Sequence, residues 1–189
     1  MAPACMDRFS AMYVFTFDNL RSTHMADVRR RFVAGRTFLG KNKVAQVALG
    51  RSEAEAYAPQ THLVTDHLLG QCGLLFTDEE EADVVKWFDE YEVEDYARAG
   101  TVAEATIRLD AGPLPMFQHT MEPMLRDKLQ MPVQLNRGVI TLIAPTQLCT
   151  EGEELSPEQA QILALLKRKT ARFKPKLHCK WWDGQFKKY

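Results

Sequence analysis

The sequence lacks the marks of a secreted, membrane-spanning or metal-binding protein. Its few cysteines are far apart and form no C-x-x-C pair, which excludes a short-spaced zinc site and a disulfide framework. No apolar run approaches the roughly 18 residues that a membrane helix needs. The first residues carry neither the basic region nor the apolar core of a secretory signal. We therefore expect a soluble, intracellular chain without bound metal or cofactor, with reduced thiols at Cys5, Cys72, Cys149 and Cys179.

Composition also excludes intrinsic disorder, collagen-like repeats and low-complexity sequence. The 189 residues are 46% hydrophobic and 26% charged, which is typical of globular proteins. A chain of this length can form one large domain or two small ones.

Charge is unevenly distributed along the chain, although the net charge is only -1. Basic residues dominate residues 21–51 and again residues 167–188, where the only acids are Asp27 and Asp183 respectively. Acidic residues dominate residues 78–95 between them. This segregation is compatible with a surface that meets a polyanion on one side, and equally with solvated helix faces.

Strand-like and helix-like segments alternate through the first 90 residues. Residues 12–18 are aromatic and β-branched with apolar residues at both parities, which predicts a buried central strand. Three alternations predict an α/β domain with a mostly parallel sheet and helices on both faces. The further predictions are strands at residues 36–39 and 72–76, and helices at residues 22–34, from the cap Asn42 to Gly50, at 61–69, and after a capping box at residues 77–80.

The pattern changes after about residue 98. Short β-like pieces, broken by proline and glycine, extend to Cys149, and a capping box from Ser156 to Gln159 then opens a helix with Pro157 in its first turn. Two strands flank Asp183-Gly184 near the end, which predicts a hairpin with a D-G turn. We expect a smaller α+β domain inserted into the first domain, to which the chain returns at its end.

The segment from Gly35 to Lys41 matches G-x-x-x-x-G-K, the phosphate-binding P-loop pattern. The position after Lys41 is Asn42, which lacks the hydroxyl that holds magnesium in a P-loop. Residues 37–39 are apolar and strand-like, whereas a P-loop joins a strand to a helix. We therefore do not expect an enzyme, although a nucleotide-binding enzyme using this segment stays as an alternative.

Gly40, Lys41, Asn42 and Lys43 follow a predicted strand and open a predicted helix. Glycine permits close backbone approach, and a helix N-terminus offers free N–H groups to a phosphate. Two lysines flank the same point, so the segment is a candidate anchor for an RNA backbone; the alternative is a solvent-exposed turn. Arg21, after the first strand, is expected near the same carboxyl edge of the sheet.

Several segments resemble the mRNA turnover protein 4 (Mrt4) family of ribosome assembly factors, a relative of the ribosomal stalk-base protein of the P0/L10 family. The most extensive are YVFTFDNLR, FLGKNKV and VALGRS, at residues 13–21, 38–44 and 47–52. Shorter matches occur in the same order at residues 73–77, 95–100, 138–142 and 155–160. Of all these, GKNK and ARAG are the distinctive blocks.

The resemblance implies a non-enzymatic factor whose α/β domain binds the ribosomal RNA of the GTPase-associated centre in precursor large subunits. It would lie beside an L11-type ribosomal protein, among other assembly factors, and later be exchanged for the stalk-base protein. Nucleolar and nuclear localisation, with shuttling to the cytoplasm, is expected. The RNA-binding domain would span residues 1–97 and 173–189, around an insertion at 98–172. The RNA contacts implied by the family are Arg21, Arg36, Gly40, Lys41, Asn42, Lys43 and Arg51.

Two departures from the relatives bear on this expectation. Stalk-base proteins continue into stalk-binding helices and an acidic tail, whereas this sequence stops at Tyr189, which favours the assembly factor over an authentic stalk-base protein. Only about a dozen residues precede Tyr13, where the family usually has a basic segment and a helix. A protein–protein adaptor that works through its acidic helix is a further alternative.

Overall fold

The computed structural model describes residues 2–189, which divide into two compact units. Unit 1 comprises the chain up to Glu92 together with Phe173–Tyr189, and unit 2 comprises Val93–Arg172. Among the helices described in residues 2–189, none has the length and apolar character of a membrane span.

The helices and strands are numbered in chain order. The helices are α1 Ala2–Met6, α2 Ser22–Arg31, α3 Asn42–Leu49, α4 Thr61–Thr65, α5 Glu81–Glu90 and α6 Pro157–Leu165. The strands are β1 Ala11–Thr16, β2 Arg36–Phe38, β3 Cys72–Thr77, β4 Val93–Asp95, β5 Ile107–Leu109, β6 Gly112–Pro113, β7 Val133–Asn136, β8 Val139–Leu142, β9 Thr146–Cys149, β10 Ala171–Phe173, β11 Lys176–Trp182 and β12 Gln185–Lys188.

Unit 1 is built on a sheet with the strand order β12-β11-β1-β3-β2. Its central strand β1 is buried on both faces, as its continuous apolar sequence predicts. Met12 and Val14 face one side, and Tyr13 and Phe15 face the other. The strand therefore contributes to two separate cores.

The prediction of a mostly parallel sheet is wrong, because neighbouring strands of this sheet run antiparallel. Strands β1 and β2 do point the same way, as a strand–helix–strand connection requires. However, β3 lies between them and is antiparallel to both. The alternation of strands and helices therefore gave the right strand directions but the wrong neighbours.

Helices cover both faces of the sheet, so unit 1 has three layers. Helices α2 and α5 pack on one face through residues such as Val28 and Phe88. Helices α1, α3 and α4 pack on the other through Met6, Leu49 and Val64. Each face of the sheet buries an apolar cluster, which is the main stabilising contribution to such a fold.

Unit 2 has a separate apolar core formed by short strands and one longer helix. Strands β6, β8 and β7 form one antiparallel sheet, and β5 pairs with β9. Helix α6 begins with the predicted capping box: Ser156 Oγ accepts from Gln159 N at 3.2 Å, and Ser156 N donates to Gln159 Oε1 at 2.8 Å. A π-helical turn at Met124–Lys128 lies within the stretch 120–129, where we considered a helix.

The predicted hairpin at the end of the chain is confirmed as β11–β12. Asp183 and Gly184 have φ values of 44° and 75°, and positive φ at both central residues is typical of a type I′ turn. The capping box predicted at residues 77–80 is wrong, because Thr77 is the last residue of β3 and α5 begins at Glu81.

Candidate nucleic-acid interface

Strand register brings four chain segments of unit 1 to one edge of the sheet. Thr16, at the end of β1, lies opposite both Cys72 at the start of β3 and Lys176 at the start of β11. Phe38, at the end of β2, lies opposite Leu74 of β3. The segments that follow β1 and β2 and those that precede β3 and β11 therefore meet at the same edge.

Basic side chains lie on these converging segments, and we call this set the basic edge: Arg21, Lys41, Lys43 and Lys176. The three lysines are exposed, and Arg21 is half-buried at the start of α2. Strands β1 and β2 are separated only by β3, so their ends lie about 10 Å apart at the usual strand spacing. That spacing lets one folded RNA contact both connections.

The connection from β2 to α3 is open to solvent at Gly40. A Cβ built on Gly40 meets no heavy atom of the described chain within 4 Å. Lys41 is the N-cap of α3, with extended backbone, and within residues 2–189 no side chain accepts a hydrogen bond from this helix end. The first turn of α3 also contains no acidic residue, so its N–H groups and Lys43 present only positive potential.

Asn42 is the first residue of α3 and not its cap, which corrects the predicted cap position. Its Nδ2 donates to Gly70 O at 2.8 Å, and its Oδ1 accepts from Cys72 Sγ at 3.3 Å. Burial raises the pKa of the Cys72 thiol, so the thiol stays protonated and able to donate at neutral pH. Asn42 thus fixes the two neighbouring lysines relative to β3.

The other two arginines implied by the family lie elsewhere on unit 1. Arg36 begins β2, two residues before Phe38, and its guanidinium carbon lies 5.8 Å from the centroid of the Phe38 ring. Arg51 follows the C-terminal end of α3, and an eight-residue helix is about 12 Å long. The structure therefore groups Arg21 and residues 40–43 and sets Arg51 apart.

Sequence reasoning missed Lys176 and a neighbouring aromatic strip. The strip consists of His67, Phe186 and His178; the His67 ring stacks on Phe186 at 5.6 Å between centroids and faces His178 at 6.4 Å. Burial, with smaller contributions from Lys188 and His178, lowers the pKa of His67, so this ring is neutral at physiological pH. The cluster of lysines after residue 167 signals a basic surface, but only strand register places Lys176 at the edge.

The acidic block begins at the opposite edge of the same sheet. Thr77, the last residue of β3, lies opposite Ala11, the first residue of β1. The next residue, Asp78, accepts a hydrogen bond from Ser10 N at 2.7 Å, and Glu79 forms an ion pair with Arg31 at 2.9 Å. Unit 1 is therefore electrostatically polar, with its basic and acidic edges separated by the length of the strands.

The P-loop-like pattern does not form a phosphate-binding loop. Residues Arg36–Phe38 in its middle form strand β2, which pairs with β3. A Cβ at Gly35 would lie 2.5 Å from Phe76 O, so this glycine permits close packing of β2 on β3. Asn42, at the position of the magnesium-binding hydroxyl, is engaged with Gly70 and Cys72.

Comparison with known proteins matches both units. Residues 4–93 match the family model of ribosomal protein L10, and residues 97–167 match the model of the insertion domain found in the 60S ribosomal protein of the same family. The ribosome assembly factor mrt4 of Dictyostelium discoideum is 37% identical over 96% of this chain and 81% of its own length. The corresponding protein of Saccharomyces cerevisiae is 31% identical over 91% of this chain and 78% of its own length. The chain belongs to the Mrt4 family of ribosome assembly factors.

The Mrt4 family resemblance inferred from the sequence is thereby confirmed. The large ribosomal subunit protein uL10 of Zea mays is also similar, at 26% identity over 85% of this chain and 50% of its own length. The Mrt4 relatives match more of the chain at higher identity than this ribosomal protein does. Family membership supports a role in ribosome biogenesis.

Proposed function

We propose that this chain is a non-enzymatic ribosome assembly factor that binds the RNA of the GTPase-associated centre in precursor large ribosomal subunits. It would hold this position, beside an L11-type ribosomal protein, until the stalk-base protein replaces it. A nucleolar and nuclear protein that shuttles to the cytoplasm is expected for this role. The relatives are named ribosome assembly factors, and the convergence of exposed lysines at the basic edge carries the RNA-binding part of the proposal.

Binding through the basic edge would recognise the RNA mainly by its backbone and shape. Lysine and arginine neutralise phosphates and displace counterions, so affinity falls steeply as salt rises. Phosphate contacts position a protein without reading base sequence, and folded RNA is recognised largely by shape and by its unpaired nucleotides. The acidic edge would repel the same RNA and so fix its orientation on unit 1.

The double substitution Lys41→Ala and Lys43→Ala tests this proposal. We expect weaker binding to the isolated stalk-base RNA element and a salt slope smaller by about two, because each lysine contributes about one. Filter-binding titrations at several salt concentrations measure both quantities. The matched control is Lys86→Ala with Lys128→Ala, which removes two exposed lysines elsewhere and should leave the slope unchanged. An unchanged affinity and slope for Lys41→Ala with Lys43→Ala would remove these lysines from the interface.

The similarity to uL10 favours a second candidate, an authentic stalk-base protein of the mature subunit. The two functions differ in the particles on which the protein resides. Sucrose-gradient sedimentation of a tagged chain should place an assembly factor with precursor large subunits, whereas a stalk-base protein would also follow translating ribosomes.

A further inference from the structure

An apolar cavity of about 230 Å³ opens beside the β2–α3 connection, entirely within unit 1. Its walls come from the end of β2, the inner side of α3, the segment after α4 and the start of β3. The apolar side chains that define it are Phe38, Leu39, Val44, Ala48, Leu68 and Leu74. Protein interiors are normally close-packed, so an apolar space of this size at the surface is a feature to explain.

The polar groups at the cavity satisfy one another. Asn42 and Cys72 both line it, and they are joined by the hydrogen bond from Sγ to Oδ1, while Asn42 Nδ2 is engaged with Gly70. An occupant therefore meets apolar surface and not a set of hydrogen-bonding groups. The volume is below the roughly 300 Å³ at which pockets for whole small molecules begin, which favours a single flat ring system.

The mouth of the cavity carries positive charge. Gly40 and Lys41 line it, and Lys43 follows in the first turn of α3. Gly40 leaves the entrance open, because no heavy atom of the described chain lies within 4 Å of its built Cβ. An apolar interior beneath two lysines complements a flat, weakly polar ring joined to anionic groups.

We propose that this cavity receives one unstacked nucleobase of the bound ribosomal RNA, with the adjoining phosphates held by Lys41 and Lys43. Unstacked bases in RNA loops and bulges bind proteins by stacking on aromatic rings, and the partly exposed ring of Phe38 offers such a surface at the cavity wall. Because the walls are apolar, the base is held by its flat face more than by its hydrogen-bonding edge. The inference rests on the proposed RNA-binding function and deepens it.

Charge complementarity decides between a nucleobase and an apolar protein side chain. An apolar side chain would fill the cavity equally well, and exposed Val44 and Val47 nearby would suit it. It would leave the two lysines at the mouth without a counter-charge, whereas a nucleotide brings its own phosphates. The nucleobase is therefore the occupant that accounts for both the cavity and its rim.

The first test uses the unmodified protein and altered RNA. Abasic nucleotides are placed one at a time at the unpaired positions of the stalk-base RNA element, and affinity is measured by filter binding. We expect one position to lose about tenfold in affinity, within the range for loss of a stacked base. Uniformly unchanged affinity across all unpaired positions would overturn the inference.

The second test fills the cavity with Ala48→Leu, and the matched control is Ala82→Leu on the exposed side of α5. We expect Ala48→Leu to weaken binding about tenfold with an unchanged salt slope, and the critical abasic RNA to bind this variant no worse than the intact RNA does. Full affinity of Ala48→Leu for RNA would overturn the inference, and so would full affinity combined with lost retention on precursor particles, which would indicate a protein side chain. If Lys41→Ala with Lys43→Ala still weakens binding, the proposed function survives that failure; if all variants bind RNA normally, both fail.

Discussion

At the scale of single residues, two glycines of unit 1 have different physical reasons. A Cβ at Gly73 would lie 2.7 Å from Phe15 Cζ and 2.8 Å from Leu39 Cδ2, so packing on the sheet requires glycine there. A Cβ at Gly40 would point into open space within the described chain. Glycine at position 40 is therefore not needed for packing, and under the proposed function it allows close approach of a phosphate to the backbone.

Gly40→Ala should leave the fold intact and weaken RNA binding. The backbone at Gly40 is outside the positive-φ region, so alanine fits without strain and stability should stay equal or rise by up to about 1 kcal/mol. Thermal unfolding and filter binding measure the two effects. Gly73→Ala is the control, and it should lower the melting temperature because of the clash. Wild-type affinity of Gly40→Ala would show that no phosphate lies against this backbone.

At the scale of secondary-structure elements, Glu81 attaches the start of α5 to the β11–β12 hairpin. Lys180 Nζ donates to Glu81 Oε2 at 3.0 Å, Tyr189 OH donates to Oε1 at 2.9 Å, and Lys187 forms a further ion pair. These bonds, led by those from Lys187 and Lys180, lower the pKa of Glu81 to about 2. Lys180 is itself nearly buried, with its ammonium 4.6 Å from the centroid of Trp182.

Glu81→Gln should reduce stability at neutral pH and flatten its dependence on acid. The ordinary pKa of 4.5 applies to the unfolded chain, so the stabilisation by Glu81 is fully present above about pH 4.5 and lost as pH falls toward 2. We expect a loss of about 1 kcal/mol at pH 7, because the group is partly solvated. Urea unfolding at pH 7, 5 and 3 measures the difference between variant and wild type. A difference that does not shrink at pH 3 would contradict this assignment.

Local signals predicted most elements but not their arrangement. The buried strand β1, the capping box of Ser156 and the Asp183-Gly184 turn depend on neighbouring residues, and all three were predicted correctly. The pairing of β3 between β1 and β2 depends on contacts between residues far apart in sequence, which periodicity does not encode. The capping box at Thr77 failed for a related reason, because that residue pairs with Ala11 in the sheet.

The candidate site shows the same division between local and distant contacts. Strand, glycine, lysines and helix start are adjacent in sequence, so the Gly40–Lys43 segment could be recognised directly. The role of Asn42 could not, because its partner Gly70 is 28 residues away. Lys176 reaches the basic edge only through its register with Thr16, and the apolar cavity exists only once α3 is packed on β3.

At the scale of the whole molecule, a net charge of -1 conceals the separation of opposite charges within unit 1. The basic edge lies where β1 and β2 end and β11 begins, and the acidic block starts at the other end of β3. Such a distribution steers a polyanion to one side during association. It also means that charge removed at different places should affect RNA binding differently.

Lys176→Ala should weaken RNA binding and reduce the salt slope by about one, because this lysine would contact a phosphate at the basic edge. Asp89→Asn with Glu90→Gln changes the net charge by a larger amount on the exposed side of α5, away from that edge. We expect the second variant to bind RNA slightly faster through weaker repulsion while keeping the wild-type salt slope, since it adds and removes no phosphate contact. Titrations at several salt concentrations and stopped-flow association rates separate the two effects. A salt slope that follows net charge in both variants, regardless of position, would mean that the RNA is attracted to the molecule as a whole and not held at this edge.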